Sequence, residues 1–404
     1  MPKTAAKRNS RPAAAPRIGL ALAGGGPLAA VYEIGALAAL AEAVDGLDLN
    51  DAAIYVGVSA GSIIAAGLAN GITPHQMCRL FIESDVEALD GAILFKPDTL
   101  LRPAMTEFRK RLRSVPGLLA GSVFHYARHR ASLASSFERM KEVLPAGFFS
   151  GDAIGSFLKS TFAQAGRSND FRKLARRLVI VATDLDTGKA VRFGAAGWDH
   201  VPISRAVQAS AAVPGLFPPV EIGGHHFVDG ALRKTMHASI ALEAGVDLLL
   251  CINPIVPYDA GFQRGARRLA KGGLLDVLSQ TLRSILHSRL ETGLASYEIS
   301  HPDVDIVLFQ PSQDDAELFF TNIFSYNNRR RMCEQAYRNT RLMLWQQRAR
   351  LAPKLARHGM RLKLDVLRDT SLSLVSQRPP RRALARLDAA LDDLQRYLKI
   401  AHGI

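Results

Sequence analysis

The chain has 404 residues, of which 48% are hydrophobic and 22% are charged, values typical of a globular protein with a sizeable core. The formal net charge of +14 favours an anionic partner, such as a membrane surface. Three cysteines at unrelated spacings provide no disulfide framework, and no uninterrupted apolar run reaches the roughly 18 residues of a membrane-spanning helix. We therefore expect a cytoplasmic protein that associates peripherally with membranes.

The N-terminal segment is basic and leads into a first strand. Residues 1–17 contain five basic side chains and no acidic one, which predicts a disordered basic arm. Residues 18–23 are apolar and predict a buried parallel strand that ends in a glycine turn. Pro27 follows this turn, at a position where proline can begin a helix.

A second strand and a second helix follow. Residues 53–58 are apolar and precede a small-residue segment, 59–70, that predicts a buried helix. This alternation of strands and helices is typical of an α/β protein with a parallel sheet and helices on both faces. Residues 92–145 interrupt the pattern, because they are basic and contain several prolines, and we interpret them as an inserted helical cap.

The sheet pattern resumes at residues 176–194, and later apolar segments predict a hairpin and two more buried strands. Residues 262–300 form an amphipathic insert, for which packing against the domain is favoured over membrane contact. We divide the chain into the basic arm, a main α/β domain over residues 18–325 and a helical C-terminal region over residues 326–404.

The glycine turn has two interpretations. Gly24-x-Gly26-x-x-Ala29 fits a dinucleotide-binding turn, in which the glycines permit a sharp bend and the small residue permits close helix packing. The same backbone amides can instead stabilise the oxyanion of a reacting ester. A dinucleotide site needs an acidic residue at the end of the second strand to hold the ribose, and this strand ends in a serine. The second interpretation is therefore favoured.

This serine lies in Gly57-Val58-Ser59-Ala60-Gly61, a G-x-S-x-G sequence between a strand and a helix. A serine on such a strained turn needs small neighbours so that its hydroxyl projects clear of the backbone. The helix behind it directs its positive dipole end and free N–H groups toward developing negative charge. We predict that Ser59 is a nucleophile.

A nucleophilic serine needs a base, and two kinds of candidate remain open. A downstream histidine, His237 or His301, would complete a Ser–Asp–His triad of the α/β-hydrolase type. Asp229 follows an apolar segment and precedes Gly230, which places its carboxylate at the sheet edge, where it can act as a base if its pKa is suitable. An Asp-Gly pair is also a common hairpin turn.

Four sequence blocks resemble the patatin-like phospholipase family in content and order: "GGG", "GVSAGS", "ASAAVPGLFPPV" and "VDGAL". The resemblance implies a three-layer α/β/α patatin-like fold with a central, mostly parallel sheet, followed by a helical C-terminal extension. It implies that residues 18–325 are a catalytic domain that needs neither a histidine base nor a metal or other cofactor. The implied site residues are Ser59 and Asp229 as a dyad, Gly24, Gly25, Gly26 and Ala60 as the oxyanion hole, and Gly57 and Gly61 as the elbow around the nucleophile.

The chain departs from the family pattern after the glycine run, where Leu28 and Ala29 replace the usual basic residue and glycine. The implied function is a lipid acyl hydrolase that cleaves carboxylic esters of phospholipids or other lipids through an acyl-enzyme. The alternatives are a triad esterase and a non-catalytic membrane-binding protein. The expected partners are a lipid ester and a membrane surface, reached through basic and amphipathic segments. Nucleic acid is not expected, because no motif of stacking aromatics accompanies the positive charge.

Overall fold

A computed structural model gives the structure of the protein over residues 16–83, 146–259, 269, 273–315 and 326–375. Most of the predicted basic arm, the predicted cap, the start of the predicted insert and the end of the predicted C-terminal region lie outside these residues. The division of the chain at these boundaries therefore stays a prediction.

The described chain contains ten strands: β1 (Ile18–Leu22), β2 (Val44–Asp45), β3 (Ile54–Val58), β4 (Arg177–Asp184), β5 (Ala190–Phe193), β6 (Val220–Ile222), β7 (His225–Asp229), β8 (Leu248–Ile252), β9 (Asp305–Phe309) and β10 (Arg361–Leu362). Eight of them form one sheet in the order β6-β7-β4-β3-β1-β8-β9, with β5 also paired to β4. The pairs from β4 through β3, β1 and β8 to β9 are parallel, whereas β5, β6 and β7 add antiparallel pairs on one side.

The ten α-helices in the described residues are α1 (Gly26–Ala43), α2 (Ala60–Ala69), α3 (Pro74–Cys78), α4 (Asp152–Phe162), α5 (Ile203–Ser210), α6 (Ser239–Glu243), α7 (Leu274–Ser300), α8 (Tyr326–Gln346), α9 (Arg348–Arg357) and α10 (Leu364–Arg368). Side chains of α6 and α7 belong to the apolar cluster on one face of the sheet, and the other helices contribute to the cluster on the opposite face.

Both faces of the sheet are buried. On β1, Leu20 and Leu22 belong to one apolar cluster, whereas Ala21 and the following Ala23 belong to the other. Successive side chains of a strand point to opposite faces, so a strand covered by helices on both faces is apolar along its whole length. The predicted three-layer α/β/α architecture with a mostly parallel sheet is confirmed.

Helix α1 is central to the core. Among the described residues it is the one helix whose length and hydropathy would allow it to cross a membrane, but 67% of it is buried inside the protein. Its many alanines and Gly35 allow neighbouring elements to approach closely. This helix therefore serves as the core helix of the α/β body.

Helix α8 packs along α1 with the two backbones in close contact. A Cβ atom added at Gly35 of α1 would lie 2.4 Å from the carbonyl oxygen of Cys333, so glycine is required at this crossing. Near the end of α1, Tyr337 donates its hydroxyl hydrogen to Glu42. The described part of the predicted C-terminal region thus shares a core with the α/β body.

Candidate active site

Ser59 occupies the sharp turn between β3 and α2. Its φ of 51° and ψ of −123° lie in a region that residues other than glycine rarely adopt. The neighbouring glycines are in close contact with the backbone: a Cβ at Gly57 would lie 2.6 Å from Ser62 Cα, and one at Gly61 would lie 2.6 Å from Ala23 O. Both glycines predicted for the elbow are therefore sterically required, as the geometry of a nucleophile elbow demands.

Ser210 holds this turn in position. Its hydroxyl accepts a hydrogen bond from the N–H of Ser59 at 2.8 Å and donates to the carbonyl of Val181 at 2.6 Å. On the other side of the turn, the Ser62 hydroxyl donates to the carbonyl of Ser59 at 2.5 Å. Ser210 is a positioning residue that the sequence analysis missed, although it lies within the block at 209–220.

The edge of β4 places Asp229 beside Ser59. Strand β3 ends at Val58, which pairs with Val181, and Asp229 on β7 pairs with the next residue, Ala182. Strand β5 pairs with both of these β4 residues, so it occupies one edge of β4 and leaves β3 and β7 to share the other. Strand β7 therefore pairs with β4 beyond the point where β3 ends. As a result, Asp229 lies beside Ser59, the residue that follows Val58.

The carboxyl group of Asp229 is buried, with 4% of the residue exposed. Its Oδ1 accepts a hydrogen bond from the N–H of Ala231 at 2.8 Å, and the Ser59 side chain lies close enough to lower the pKa of the carboxyl group by hydrogen bonding. Burial raises the pKa of Asp229 to about 6, although both hydrogen bonds act in the opposite direction. At neutral pH the group is mostly ionised, yet it is basic enough to accept a proton.

The glycine turn lies against Ser59. A Cβ at Gly24 would be 2.9 Å from Ser59 Cβ, so the close approach of the two turns requires glycine. The N–H of Gly24 donates to the carbonyl of Thr235 at 3.2 Å. In this structure Gly24 allows the close approach and its amide anchors the turn, while the role of this amide in an oxyanion hole stays a prediction.

Three other amides predicted as donors lie at helix starts. Gly26 is the first residue of α1, with Gly25 just before it, and Ala60 is the first residue of α2. The first N–H groups of a helix have no acceptor within the helix, so they are available to an anion. One cavity is lined by Gly26, Ser59 and Ala60. The amides of Gly26 and Ala60 therefore lie on the same side as the Ser59 hydroxyl.

An apolar cavity of about 100 Å³ extends from Ser59. It lies between the first turns of α1 and α2, the loop after α5 and the start of α8. Its lining is apolar except for Ser59 and Arg329, and it includes Ala30, Ile34, Ile63, Phe81, Leu216 and Phe217. A narrow apolar cavity that starts at a buried hydroxyl can receive an aliphatic chain.

The two histidines considered for a triad do not join this pair in the described part of the chain. His237 contacts the carbonyl of Gly230 at 3.4 Å, and burial lowers its pKa to about 4. His301 follows the end of α7, where its ring contacts the neighbouring serine. Neither histidine has a hydrogen bond to Ser59 or Asp229, so the contacts give the triad hypothesis no support.

The described residues offer no group of three or more His, Cys, Asp or Glu side chains arranged to hold a metal ion. The dinucleotide interpretation also lacks its acidic residue, since β3 leads directly into Ser59. The site is therefore built from a hydroxyl, a carboxyl group and backbone amides.

Glu33 is a second buried carboxyl group that the sequence analysis missed. It lies on α1 with no exposed surface, and burial raises its pKa well above the usual range. Neither carboxylate oxygen of Glu33 has a hydrogen-bond partner among the described residues, so nothing offsets the cost of burial. The available signal was a single acidic residue within the apolar stretch 28–40, which indicates a protonated, buried side chain.

Comparison with known families adds a decisive observation. The family profile described as patatin-like phospholipase matches residues 20–242, which is more than half of the chain. The chain belongs to the patatin-like phospholipase family. The matched part of this patatin-like chain contains the glycine turn, Ser59 and Asp229, whereas α7 to α10 lie beyond it.

Solved structures are similar to this patatin-like chain over much of its length. VipD from Legionella pneumophila matches with 14% identity and a TM-score of 0.38, over 82% of this chain and 66% of VipD. The type III effector protein ExoU matches with 17% identity and a TM-score of 0.35, over 81% of this chain and 52% of ExoU. ExoU of Pseudomonas aeruginosa in complex with SpcU matches with 17% identity and a TM-score of 0.27, over 70% and 53%. The chain thus spans between about half and two thirds of these proteins.

Proposed function

We propose that the protein is a lipid acyl hydrolase that cleaves carboxylic esters with Ser59 as nucleophile and Asp229 as base. Membership in the patatin-like phospholipase family supports hydrolysis of lipids. The observation that supports the finer assignment is the proximity of a buried carboxyl group, that of Asp229, to the strained, buried Ser59, which lines an apolar cavity.

The acylation step follows from these positions. The Ser59 hydroxyl gives its proton to Asp229 while its oxygen attacks the ester carbonyl carbon. The carbonyl oxygen becomes a tetrahedral oxyanion, which the amides of Gly25, Gly26 and Ala60 stabilise at the positive ends of two helices. The oxyanion then collapses, the proton on Asp229 passes to the leaving alkoxide, and an alcohol departs from the acyl-enzyme.

Deacylation reverses the roles of the two oxygens. Asp229 accepts a proton from water, whose oxygen attacks the acyl-enzyme carbonyl, and the same amides stabilise the second oxyanion. Collapse of this intermediate expels the Ser59 oxygen, which recovers its proton from Asp229 and releases the carboxylic acid. The dyad returns to its starting state, so each turnover consumes one ester and one water molecule.

The cavity beside Ser59 indicates which part of the substrate is recognised. Its lining of small and aliphatic side chains favours an acyl chain, because burial of each methylene contributes about 0.8 kcal/mol. We therefore propose that long-chain esters are better substrates than short-chain esters. We also propose that the protein acts in the cytoplasm at membrane surfaces.

The first test is hydrolysis of p-nitrophenyl esters of graded chain length by wild type, Ser59→Ala and Asp229→Asn. Because the two residues act as a unit, each variant is expected to lose activity by about 10³-fold or more. Ser160→Ala and Asp303→Asn provide matched controls, since both side chains lie in other parts of the structure and should leave activity intact.

Three results would contradict the proposal. Activity that survives in Asp229→Asn but is lost in His237→Asn or His301→Asn would favour the triad esterase. Wild type that cleaves no ester, with or without anionic vesicles, would favour the non-catalytic membrane-binding protein. A rate that falls with increasing chain length would argue against the acyl-chain cavity.

A further inference from the structure

A second cavity, of about 440 Å³, lies between α7 and the loop that follows Asp229. Three cations contribute to its lining: Arg233 and Lys234 from the loop, and Arg289 from α7. All three side chains are exposed, no carboxylate lines the cavity, and none of the three forms a salt bridge in the described part of the chain. The cavity wall therefore concentrates positive charge, and the carboxylate that interacts with Lys234, that of Glu243, lies outside the lining.

Hydroxyl groups complete the polar lining. Ser288, Thr292, Ser296 and Tyr297 all contribute from α7. Cations surrounded by hydroxyl donors form the environment that phosphate oxygens prefer, because each oxygen can accept several charge-assisted hydrogen bonds.

The same face of α7 continues as an exposed apolar stripe. Leu278, Leu282 and Ile285 precede Arg289 at spacings of four, three and four residues, so all four lie on one side of the helix. The exposed fractions of the three apolar residues are 54%, 46% and 46%. Leu286, on another side of the helix, is buried against the body of the protein.

We infer that this face of α7 is a lipid-binding surface, in which the basic cavity takes the phosphate of an anionic lipid headgroup and the apolar stripe enters the lipid layer beside it. The arrangement has the two components of interfacial binding, namely apolar area and cations directed at anionic headgroups. A soluble phosphate would need the cavity but would leave the stripe exposed to water, so a lipid accounts for both features.

The lipid-binding surface is joined to the candidate active site. The Thr235 carbonyl accepts the N–H of Gly24, while the Thr235 hydroxyl donates to the carbonyl of Leu286 on α7 at 3.1 Å. Arg289 donates to the carbonyl of Leu232 at 3.3 Å. A lipid layer seated on α7 would therefore lie next to the segment that supports the glycine turn. The lipid-binding surface would bring the proposed hydrolase to its substrate, so this inference rests on the proposed function. The binding itself is measurable without turnover.

The test is co-sedimentation of the full chain with vesicles of ether-linked lipids, which contain no carboxylic ester to cleave. Wild type should bind vesicles of phosphatidylcholine mixed with phosphatidylglycerol and should bind pure phosphatidylcholine vesicles weakly. Lys234→Gln with Arg289→Gln should weaken binding by about 30-fold, the equivalent of about 1 kcal/mol for each cation near an anionic surface. Leu282→Asn with Ile285→Asn should also weaken binding, including at high salt.

Matched controls separate a site from a general effect of charge. Lys159→Gln with Lys173→Gln removes the same charge from exposed positions on other elements, and Leu342→Asn removes an apolar side chain with 52% exposure from α8. Both controls should bind nearly as well as wild type. Circular dichroism and the urea midpoint of every variant verify that the fold is retained.

Several outcomes would overturn the inference. Equal losses in the two charge pairs would reduce the effect to net charge, and equal binding to both vesicle types would remove the role of the headgroup's net negative charge. Saturable thermal stabilisation by inorganic phosphate, together with an unaffected Leu282→Asn/Ile285→Asn variant, would make the ligand a soluble phosphate. Failure of vesicle binding with intact hydrolysis of p-nitrophenyl esters would overturn this surface alone. Binding without any hydrolysis would contradict the proposed function and leave the surface standing.

Discussion

Asp229 combines two requirements that oppose each other. Its proposed role as a base needs an ionised carboxylate, whereas its 4% exposure disfavours the charge. Hydrogen bonds from Ala231 and Ser59 recover part of that cost and keep the pKa at about 6. A fully exposed aspartate, with a pKa of about 3.9, would be a much weaker base toward a serine hydroxyl.

The pH dependence of the reaction should report this pKa. Because the ionised form of Asp229 is the base in the proposed mechanism, kcat/KM for a p-nitrophenyl ester should rise tenfold per pH unit below about pH 6 and level off above it. The measurement is a profile of initial rates at low substrate concentration, corrected for spontaneous hydrolysis. A profile that is level between about pH 4 and pH 8 would show that no group with this pKa is required.

The same burial predicts a conflict between activity and stability. The pKa of Asp229 is higher in the folded state, at about 6, than in the unfolded state, at about 3.9, so the folded protein binds more protons between these values. Stability from this group is complete below about pH 4 and is lost as the pH rises through about 6. At pH 7 the cost is about 3 kcal/mol, from about 2 pKa units at about 1.4 kcal/mol each.

Asp229→Asn should therefore be inactive but more stable than wild type at pH 7, by about 1–3 kcal/mol. The asparagine can keep the hydrogen bond from Ala231 without a buried charge. Urea unfolding of both proteins at pH 7 and at about pH 4 tests this, and the difference should shrink at the lower pH. A variant that is less stable than wild type at both pH values would contradict the electrostatic explanation.

At the scale of elements, the contact between α1 and α8 depends on a glycine. A Cβ at Gly35 would be 2.4 Å from Cys333 O and 2.9 Å from Ala336 Cβ, so any side chain forces the helices apart. Most glycines in a helix interior lower stability relative to alanine, by about 1 kcal/mol. At this position close packing outweighs helix propensity.

Gly35→Ala is accordingly expected to lower the free energy of unfolding by about 1–3 kcal/mol. Gly293→Ala on α7 provides the matched comparison, because the nearest atom to its added Cβ would be 4.0 Å away, on Tyr297. That variant should raise stability by about 0.5–1 kcal/mol. Urea midpoints decide between the two mechanisms, since propensity alone would stabilise both variants.

At the scale of the whole molecule, the C-terminal helices complete the core that begins with α1. Buried residues from α8 and α9 belong to the same apolar cluster as the sheet and α1, and they include Met332, Cys333, Ala336, Leu344, Leu351 and Leu355. Arg329, near the start of α8, also lines the cavity beside Ser59. The apolar core and the lining of the cavity beside Ser59 thus both include residues outside the family match.

Removal of residues 326–404 should therefore expose α1 and prevent formation of a cooperatively folded α/β body. The expected result is loss of near-ultraviolet circular dichroism, binding of a hydrophobic dye and loss of a single urea transition. Full-length protein carrying Leu342→Asn serves as the control, since that exposed side chain should be dispensable. A truncated chain with the same urea midpoint as wild type would show that residues 18–325 fold by themselves.

The sequence by itself determined the class of the fold and the position of the sharp turn at Ser59. The chain contains apolar runs of strand length, each followed by a glycine or serine turn and a helix. Such units pack compactly as a parallel sheet with helices on both faces. The spacing of Gly57, Ser59 and Gly61 carries steric information in itself, because only small neighbours allow that turn. The order of the four blocks was sufficient to indicate the family that the comparison confirmed.

The tertiary structure alone decided what surrounds these residues. Asp229 lies 170 positions after Ser59, and only the shared edge of β4 brings the two together. The role of Ser210, the capture of the Gly24 amide by Thr235 and the closure of the cavity by α8 likewise depend on contacts between distant segments. The local sequence pattern indicates secondary-structure propensity and periodicity. The burial of a side chain, its pKa and the hydrogen-bond partner of each backbone amide depend instead on which atoms from distant parts of the chain lie next to it.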